Sequence, residues 1–453
     1  MKENENLNDH IQDMDIKENE HSNEHIPGTD IQNENKKIDN EENSREKSNE
    51  LPQWARVEKY LKSVYEFQYN EVANRIEIRF LYDPPSSFKE ANPNNLLREL
   101  CLNRFNFPLE KVKALLRSDF VKTINPFREY FKSLTPWNKD SDPNYIKELA
   151  DYVILKNPDN KKAFITQFEK MLVRTVKCAI DDNYYNKHAF IIVGPKQHTG
   201  KTYFMMFLGP EKLKEYTASN LHINDKDNEI ALSSNIMINM DELSDLQKME
   251  QNKLKQYLST GITKLRRPYE AKETVTPRRA SFFGTTNSTE FLSDETGSVR
   301  WICFEIEYID WNNKEKGNYS KNISIDDIWR QAFHLLKEPE FNCELTYEEI
   351  QENENRNDAY QKTTIERQLI QKYFKPGTTL DHTDFFTSDE IGDQLKICSI
   401  SYTKINLQAI GKALHYLKFP RISKYSEKKG WPVYGYYVIY ENPTKPINKY
   451  EPF

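Results

Sequence analysis

Residues 188–209 read HAFIIVGPKQHTGKTYFMMFLG. The run 188–194 is almost wholly apolar and ends in Gly, as a strand buried on both faces of a parallel sheet would. GPKQHTGKT (194–202) follows directly, and YFMMFLG (203–209) is compatible with a helix. Strand, glycine-bearing loop and helix form the context of a phosphate-binding loop. Gly200 would let the backbone approach an anion with no Cβ in the way, and the amides that open the helix favour negative charge. Lys201 would reach the β- and γ-phosphates, and the Thr202 hydroxyl would ligate Mg²⁺. The strict pattern is GxxxxGK[ST]. Here five residues separate Gly194 from Gly200, and Pro195 stands at the strict position. Either the loop is one residue longer, or Pro195 takes the turn. The candidate nucleotide-binding residues are therefore Gly194, Pro195, Lys196, Gln197, His198, Thr199, Gly200, Lys201 and Thr202, with ATP and Mg²⁺ as the expected ligands. His198 has no partner carboxylate in the pattern and reads as an ordinary loop side chain.

Two further apolar runs follow, NIMINM (235–240) and RASFFG (279–284), and a fourth, RWICFEIEYI (300–309), alternates more. Strands separated by helix-length segments predict an α/β layer with a mostly parallel sheet. Asp241 and Glu242 end the second run. Beside a nucleotide, Asp241 would hold Mg²⁺ with Thr202, and Glu242 would orient and deprotonate the attacking water. Asn287 ends the third run, in FFGTTN, where its amide would position that water. Arg300, in DETGSVRW, would stabilise transition-state charge on a neighbouring subunit's nucleotide, or else pair with Asp294 or Glu295. The catalytic candidates are Glu242, Asn287 and Arg300; the metal candidates are Thr202 and Asp241.

Outward from this core the chain of 453 residues suggests about three domains. With 37% hydrophobic residues, 26 Tyr and 24 Phe, it is not a wholly disordered chain, and 13 Gly exclude a collagen-like one. No apolar run approaches the ~18 residues of a spanning helix, and MKENENLNDH has no signal-peptide core. The five cysteines contain no CxxC pair, so a reducing, cytoplasmic setting is expected, with no membrane partner. Residues 1–52 lack any aromatic and read as a disordered acidic tail: six Lys/Arg stand against fifteen Asp/Glu in the first fifty. With a formal charge of −6 overall, the remaining body is mildly basic.

Residues 53–182 read as an α-rich domain. WARVEKYLKSVYEF carries a helical stripe, and RIEIRFLY alternates like a strand through Ile76, Ile78 and Phe80. Helices are expected at 94–103 (Leu96, Leu97, Leu100 and Cys101 on one face), 109–117 and 161–181. The ATPase core is expected at 183–312 and a helical linker or lid at 313–378, with helices at 325–337 and 346–374. Residues 379–453 read as a winged-helix-like basic module. In it a helix capped by Thr387 or Ser388 and a second over INLQAIGKALHYLKF precede two strands in KYSEKKGWPVYGYYVIY.

Two basic surfaces point to single- or double-stranded DNA. In TKLRRPYEAKETVTPRRASF, a hairpin pattern, Lys264, Arg266, Arg267, Lys272, Arg278 and Arg279 outnumber Glu270 and Glu273. Between 404 and 430 Lys404, Lys412, Lys418, Arg421, Lys424, Lys428 and Lys429 stand against Glu427 alone, interleaved with Tyr416 and Tyr425. The DNA-binding candidates are Arg266, Arg267, Lys272, Lys424, Lys428 and Lys429.

KQHTGKTYF, INMDEL, TKLRRPY, PRRASFFGTTN and FLSDETGSVRW, in this order, resemble the virulence-associated E (VirE) family of P-loop proteins. The similarity spans roughly residues 95–310 and takes in INPFREYFKSLTPWN at 124–138. The resemblance implies a P-loop NTPase (AAA+-like) core, similar to superfamily-three helicases of phages, plasmids and integrated mobile elements. It further implies a hexameric ring that hydrolyses ATP and moves along DNA in replication. By position Lys201 and Thr202 match the family's Walker A pair, Asp241 and Glu242 its Walker B pair, Asn287 its sensor one and Arg300 its trailing Arg. The family has two adjacent arginines after TG, whereas here Val299 precedes Arg300. No primase signature is evident, so a primase partner, if one acts here, is a separate protein. Two other readings compete with the motor: an ATPase switch that remodels replication proteins without unwinding, and a non-enzymatic winged-helix DNA-binding regulator.

Overall fold

The computed structural model describes residues 51–221, 225–243, 248–265, 274–292, 298–378, 384–398, 405–427 and 430–440. Nearly all of the acidic tail and the tips of both basic hairpins lie outside them. The chain divides into two units.

The first unit takes in the described residues up to Glu66, then Ile78–Phe88 and Asn92–Phe120. Its helices are α1 (Gln53–Val64), α2 (Pro93–Leu102) and α3 (Leu109–Leu116). Pro93 opens α2 behind Asn92, whose side chain accepts from the Asn94 amide, a pairing that satisfies one of the helix's orphan donors. Val57, Leu61, Leu96, Leu100 and Val112 are buried, whereas Cys101, expected inside, is exposed. The first helix is shorter than its sequence pattern suggests. From Tyr65 the order YEFQY alternates aromatic and polar residues, and the chain turns extended.

The second unit comprises Phe67–Glu77, Lys89–Ala91 and Val121–Phe453. Strands β1 (Tyr65–Asn70), β2 (Arg75–Phe80), β3 (Lys89–Glu90) and β4 (Lys122–Ile124) precede the main sheet, and Gln68–Asn70 pair in parallel with Lys122–Ile124. In β2 the alternation departs from the expected Ile76, Ile78, Phe80 pattern. Glu77 is buried beside Ile78, satisfied by Gln68, Asn70 and Arg75.

The main sheet is built from β5 (Val153–Leu155), β6 (Ala189–Val193), β7 (Thr217–Ser219), β8 (Met237–Met240), β11 (Ser281–Thr286) and β12 (Trp301–Ile309). Its order is β5-β12-β6-β11-β8-β7, parallel except for the antiparallel edge strand β5. The four apolar runs are thus neighbours, and the fold is mixed α/β. Alternation inside β6 assigns its residues to opposite faces: Phe190 and Ile192 enter one core, Ala189, Ile191 and Val193 the other. Helices α4 (Pro126–Ser133), α5 (Tyr145–Asp151), α6 (Lys161–Ile180), α7 (Lys201–Phe207) and α11 (Ile325–Lys337) supply the first core through Phe127, Ile146, Phe168, Phe204 and Trp329. Helices α8 (Asp225–Ser234) and α9 (Lys248–Ser259) supply the second through Leu232, Leu254 and Leu258. A sheet covered on both faces needs continuous apolar strands, which is why these runs do not alternate with polar residues.

An antiparallel pair, β9 (Ile262–Leu265) and β10 (Thr274–Pro277), rises between α9 and β11. Arg266, Arg267 and Lys272 fall outside the described residues. Arg278 and Arg279 do not join its surface. Arg278 is fully buried and donates to the Asn186 carbonyl, and Arg279 pairs with Asp182 at 2.9 Å and Glu71 at 3.3 Å. They anchor the base of the hairpin, because the chain has already turned into the sheet.

After β13 (Asn312–Asn313), β14 (Gly317–Asn318) and the short α10 (Tyr319–Asn322) comes α11 over the expected 325–337. The helix expected over 346–374 is two helices, α12 (Tyr347–Asn357) and α13 (Ile365–Tyr373). Thr364 caps the second by accepting from the Arg367 amide, a stop-and-restart signal inside one apolar pattern. Then follow β15 (Phe374–Pro376), β16 (Asp384–Phe386), α14 (Ser388–Cys398), α15 (Leu407–Tyr416), β17 (Arg421–Ser426) and β18 (Trp431–Tyr440). Of the two cap candidates, Thr387 takes the role, accepting from the Glu390 amide while Glu390 accepts from the Thr387 amide. These elements share a core of Ile370, Phe374, Ile391, Leu414 and Val438, so α13 packs with the C-terminal helices and not only as a linker.

Gly284 sits mid-strand in β11, where a Cβ would lie 2.8 Å from Leu243 Cδ1, 3.0 Å from Ile191 Cδ1 and 3.0 Å from the Met240 carbonyl. Gly284→Ala should therefore lower unfolding free energy by about 1–3 kcal/mol in urea titrations. Unchanged stability would show that β6, β8 and β11 pack more loosely than described.

Candidate nucleotide site

The carboxyl ends of β6, β11 and β8 lie side by side, and the loop after β6 spans 194–200. In an open α/β sheet this is the edge at which ligands bind. Gly194 is bonded through its amide to the Thr286 carbonyl at 3.0 Å. A Cβ there would lie 3.1 Å from Lys201 Cδ and 3.3 Å from Nζ, so this glycine makes room for the lysine. His198 (φ 59°) and Gly200 (φ 85°) are both left-handed, and Pro195, Lys196, Gln197 and His198 are exposed. Thr199 is buried, and its carbonyl accepts from the Ile309 amide at 2.9 Å, tying the loop to the end of β12.

Lys201 opens α7 and is 7% exposed. Its ammonium donates to the carbonyls of Gly194 (2.8 Å) and Lys196 (3.0 Å) and to Thr199 Oγ1 (3.0 Å). Burial pushes its pKa below the ordinary lysine range, and the Asp241 carboxylate opposes that shift. The Thr202 hydroxyl donates to Asp241 at 3.1 Å (Oδ2) and 3.2 Å (Oδ1). Two residues that sequence reasoning did not single out also converge there. Thr285 of β11 donates to Asp241 Oδ1, and the Asn220 side chain, after β7, accepts from the Asp241 amide at 2.9 Å. The doubled Thr before Asn287 is the only sequence trace of the first; nothing marks the second.

Glu242 follows in a left-handed conformation (φ 54°), exposed, its amide donating to Asp241 Oδ1. Asn287 lies just past β11, half-buried, on the strand between the loop and the acid pair. Thr202 Oγ1 and the Asp241 carboxylate, 3.1–3.2 Å apart, are hard oxygen donors of the kind that could hold Mg²⁺.

Arg300 is not among the residues brought together. It precedes β12, and its carbonyl accepts from the Ala189 amide at the start of β6. At ~3.3 Å per residue that is roughly 16 Å from the loop, at the opposite edge of the sheet. Its Nε donates to Ser259 Oγ at 3.1 Å; Asp294 and Glu295 lie outside the described residues. Lys424, the one described member of the C-terminal DNA-binding candidates, is exposed on β17. Lys428 and Lys429 lie outside the described residues.

The model of the virulence-associated protein E-like domain matches residues 134–364, which take in every element of this site. The chain belongs to the virulence-associated protein E-like family. No curated protein matches it. Two solved structures of the NrS-1 C-terminal region, both apo, are similar to this family member at 12% and 13% identity, with TM-scores of 0.48 and 0.47. Each comparison covers 84% of this chain and 98% of the other. Among the described residues no helix is long and apolar enough to cross a membrane, and no three His, Cys, Asp or Glu side chains group as metal ligands.

His188, beside Arg300, is buried, and its Nδ1 has no hydrogen-bond partner among the described residues. Burial, reinforced by Arg174, Lys187 and Arg300, pushes its imidazole down to about 3 from 6.5. Below pH 6.5 the unfolded chain takes up a proton that the folded chain refuses, so stability contributed by the neutral ring is lost as the pH falls. The stability of the native protein relative to His188→Gln should shrink by about 1.6 kcal/mol in total between pH 6.5 and 5. A pH-independent difference in urea unfolding would contradict this.

Proposed function

We propose that the chain is a Mg²⁺-dependent ATPase that works on nucleic acid, a replication motor of a phage, plasmid or integrated mobile element. The observation that carries this reading is the contact of the Thr202 hydroxyl with both oxygens of Asp241, directly beside a buried Lys201 at the end of a phosphate-loop strand. Family membership supports the replication context. The sheet order supports a P-loop NTPase core of the AAA+ kind, because the Asn287 strand separates the loop strand from the acid-pair strand. The three helices and hairpin at 365–440 support a winged-helix module.

In this mechanism the loop amides and the Lys201 ammonium bind the β- and γ-phosphates. Lys201 gives up its carbonyl partners for phosphate oxygens, a charge-assisted exchange. Thr202 and Asp241 would hold Mg²⁺, which would supply positive charge against the phosphates. Glu242 takes the proton of the water attacking in line, and Asn287 orients that water. Thr285 and Asn220 fix Asp241 so that its oxygens stay turned to Thr202. Arg300, on the far edge of the sheet, acts on the site of a neighbouring copy in a ring, since it does not reach its own.

Lys201→Ala and Glu242→Gln should each lower ATP turnover at least a hundredfold while leaving the circular dichroism spectrum unchanged. Turnover within twofold of native in either variant would overturn the ATPase reading. Arg300→Ala chains should be similarly inactive alone, and a mixture with Lys201→Ala chains should regain turnover that neither has. Failure to complement would remove the trans role while leaving the loop chemistry standing.

A further inference from the structure

We propose that the C-terminal helix and hairpin bind single-stranded nucleic acid in a basic cleft on the face of the hairpin opposite Lys424. The cleft, about 450 Å³, lies between α15, the start of α14 and the first residue of β17. Its described lining includes Ser388, Gln408, Gly411, Lys412, His415 and Arg421, and none of the described lining residues is acidic. Gln408, Gly411, Lys412 and His415 recur at helical spacing, so they form one stripe along α15. The stripe is open at its middle. Among the described residues a Cβ on Gly411 would meet nothing nearer than Ser388 Oγ at 3.9 Å. Core packing does not demand a glycine there, although glycine weakens a helix interior. A bare backbone at that point admits a ligand close to the helix.

The register of the hairpin decides which residues join this cleft. Arg421 pairs with Tyr436, Ser423 with Tyr434 and Tyr425 with Pro432, so Arg421, Tyr434 and Tyr425 share one face. Ile422, Lys424 and Ser426 take the other, where the Lys424 ammonium lies 5.5 Å from the Phe385 ring. On the cleft face the Arg421 guanidinium sits 4.6 Å from the Tyr434 ring. That ring is 60% exposed and Tyr425 is 62% exposed. Cations set beside exposed aromatic rings are what a single strand requires: the charges follow phosphates, and the rings stack on unpaired bases. Bases inside a duplex have no free faces for Tyr434 and Tyr425, so the rings select the single strand.

The proposal rests on the ATPase reading only for choosing nucleic acid over other anions. The full chain is titrated onto a fluorescent oligothymidylate without nucleotide, by anisotropy at several salt concentrations, and ATP turnover of the native chain is measured separately. The doubly substituted Lys412→Ala, Arg421→Ala chain should bind at least tenfold more weakly. The slope of log affinity against log salt should fall by about 1.4, two phosphate contacts at ~0.7 each. Tyr434→Ala should lose about tenfold with the salt slope kept, and Tyr434→Phe should retain affinity, since stacking needs only the ring. Native-like binding by the double variant, a larger loss in Lys424→Ala than in the double variant, or preference for duplex over single strand would each overturn the proposal. A native chain that binds the strand through these residues yet turns over no ATP would overturn the ATPase reading alone.

Discussion

Asp241 ties together the ends of four strands. Its carboxylate accepts from Thr202, past β6, and from Thr285 in β11; its amide is held by Asn220, past β7; and it directly follows β8. In a partly buried position each of these bonds is strengthened by the low local dielectric and supports the others. A carboxylate with this many fixed donors cannot swing, so the oxygens available to a cation are set by the sheet before any ligand arrives. The loop depends on the same arrangement, because Thr202 adjoins the lysine and the Asp241 charge resists the deprotonation that burial would otherwise favour in Lys201.

The sheet that creates this junction follows from the sequence by simple physics. Uninterrupted apolar runs ask for cover on both faces, and the residues of β6 alternate between the two cores. Parallel pairing in the order β6, β11, β8 then carries the 194–200 loop, Asn287 and the acid pair to one edge. The same pairing carries Arg300 to the opposite edge. Under the proposed ATPase reading, with Arg300 acting in trans, this separation is what a ring of copies would require.

What was legible in the sequence was whatever repeats with a period or uses a residue with an unusual backbone. The strands, α6, α11 and Gly200 belong to that class, and Thr202 and Asp241, paired in the sequence by motif order, meet through a hydrogen bond. Asn220 was illegible because its role depends on the strand order and not on its neighbours. Arg278 and Arg279 were misread because charge alone does not distinguish a solvated hairpin arm from a buried anchor. The break between α12 and α13 was missed because an apolar helical pattern continues across it; only the Thr364 cap announces the restart. The alternation of β17 and β18 likewise separates Lys424 from Arg421, a division that composition does not display.

The most direct measurement is calorimetric titration of ATP into the chain, with Mg²⁺ and with EDTA, for the native protein and Asp241→Asn. The expected result is one site per chain, weakened at least tenfold by removing Mg²⁺, with most of that Mg²⁺ dependence gone in Asp241→Asn. Binding indifferent to Mg²⁺, or equally Mg²⁺-dependent in the two proteins, would contradict the placing of the metal at Thr202 and Asp241.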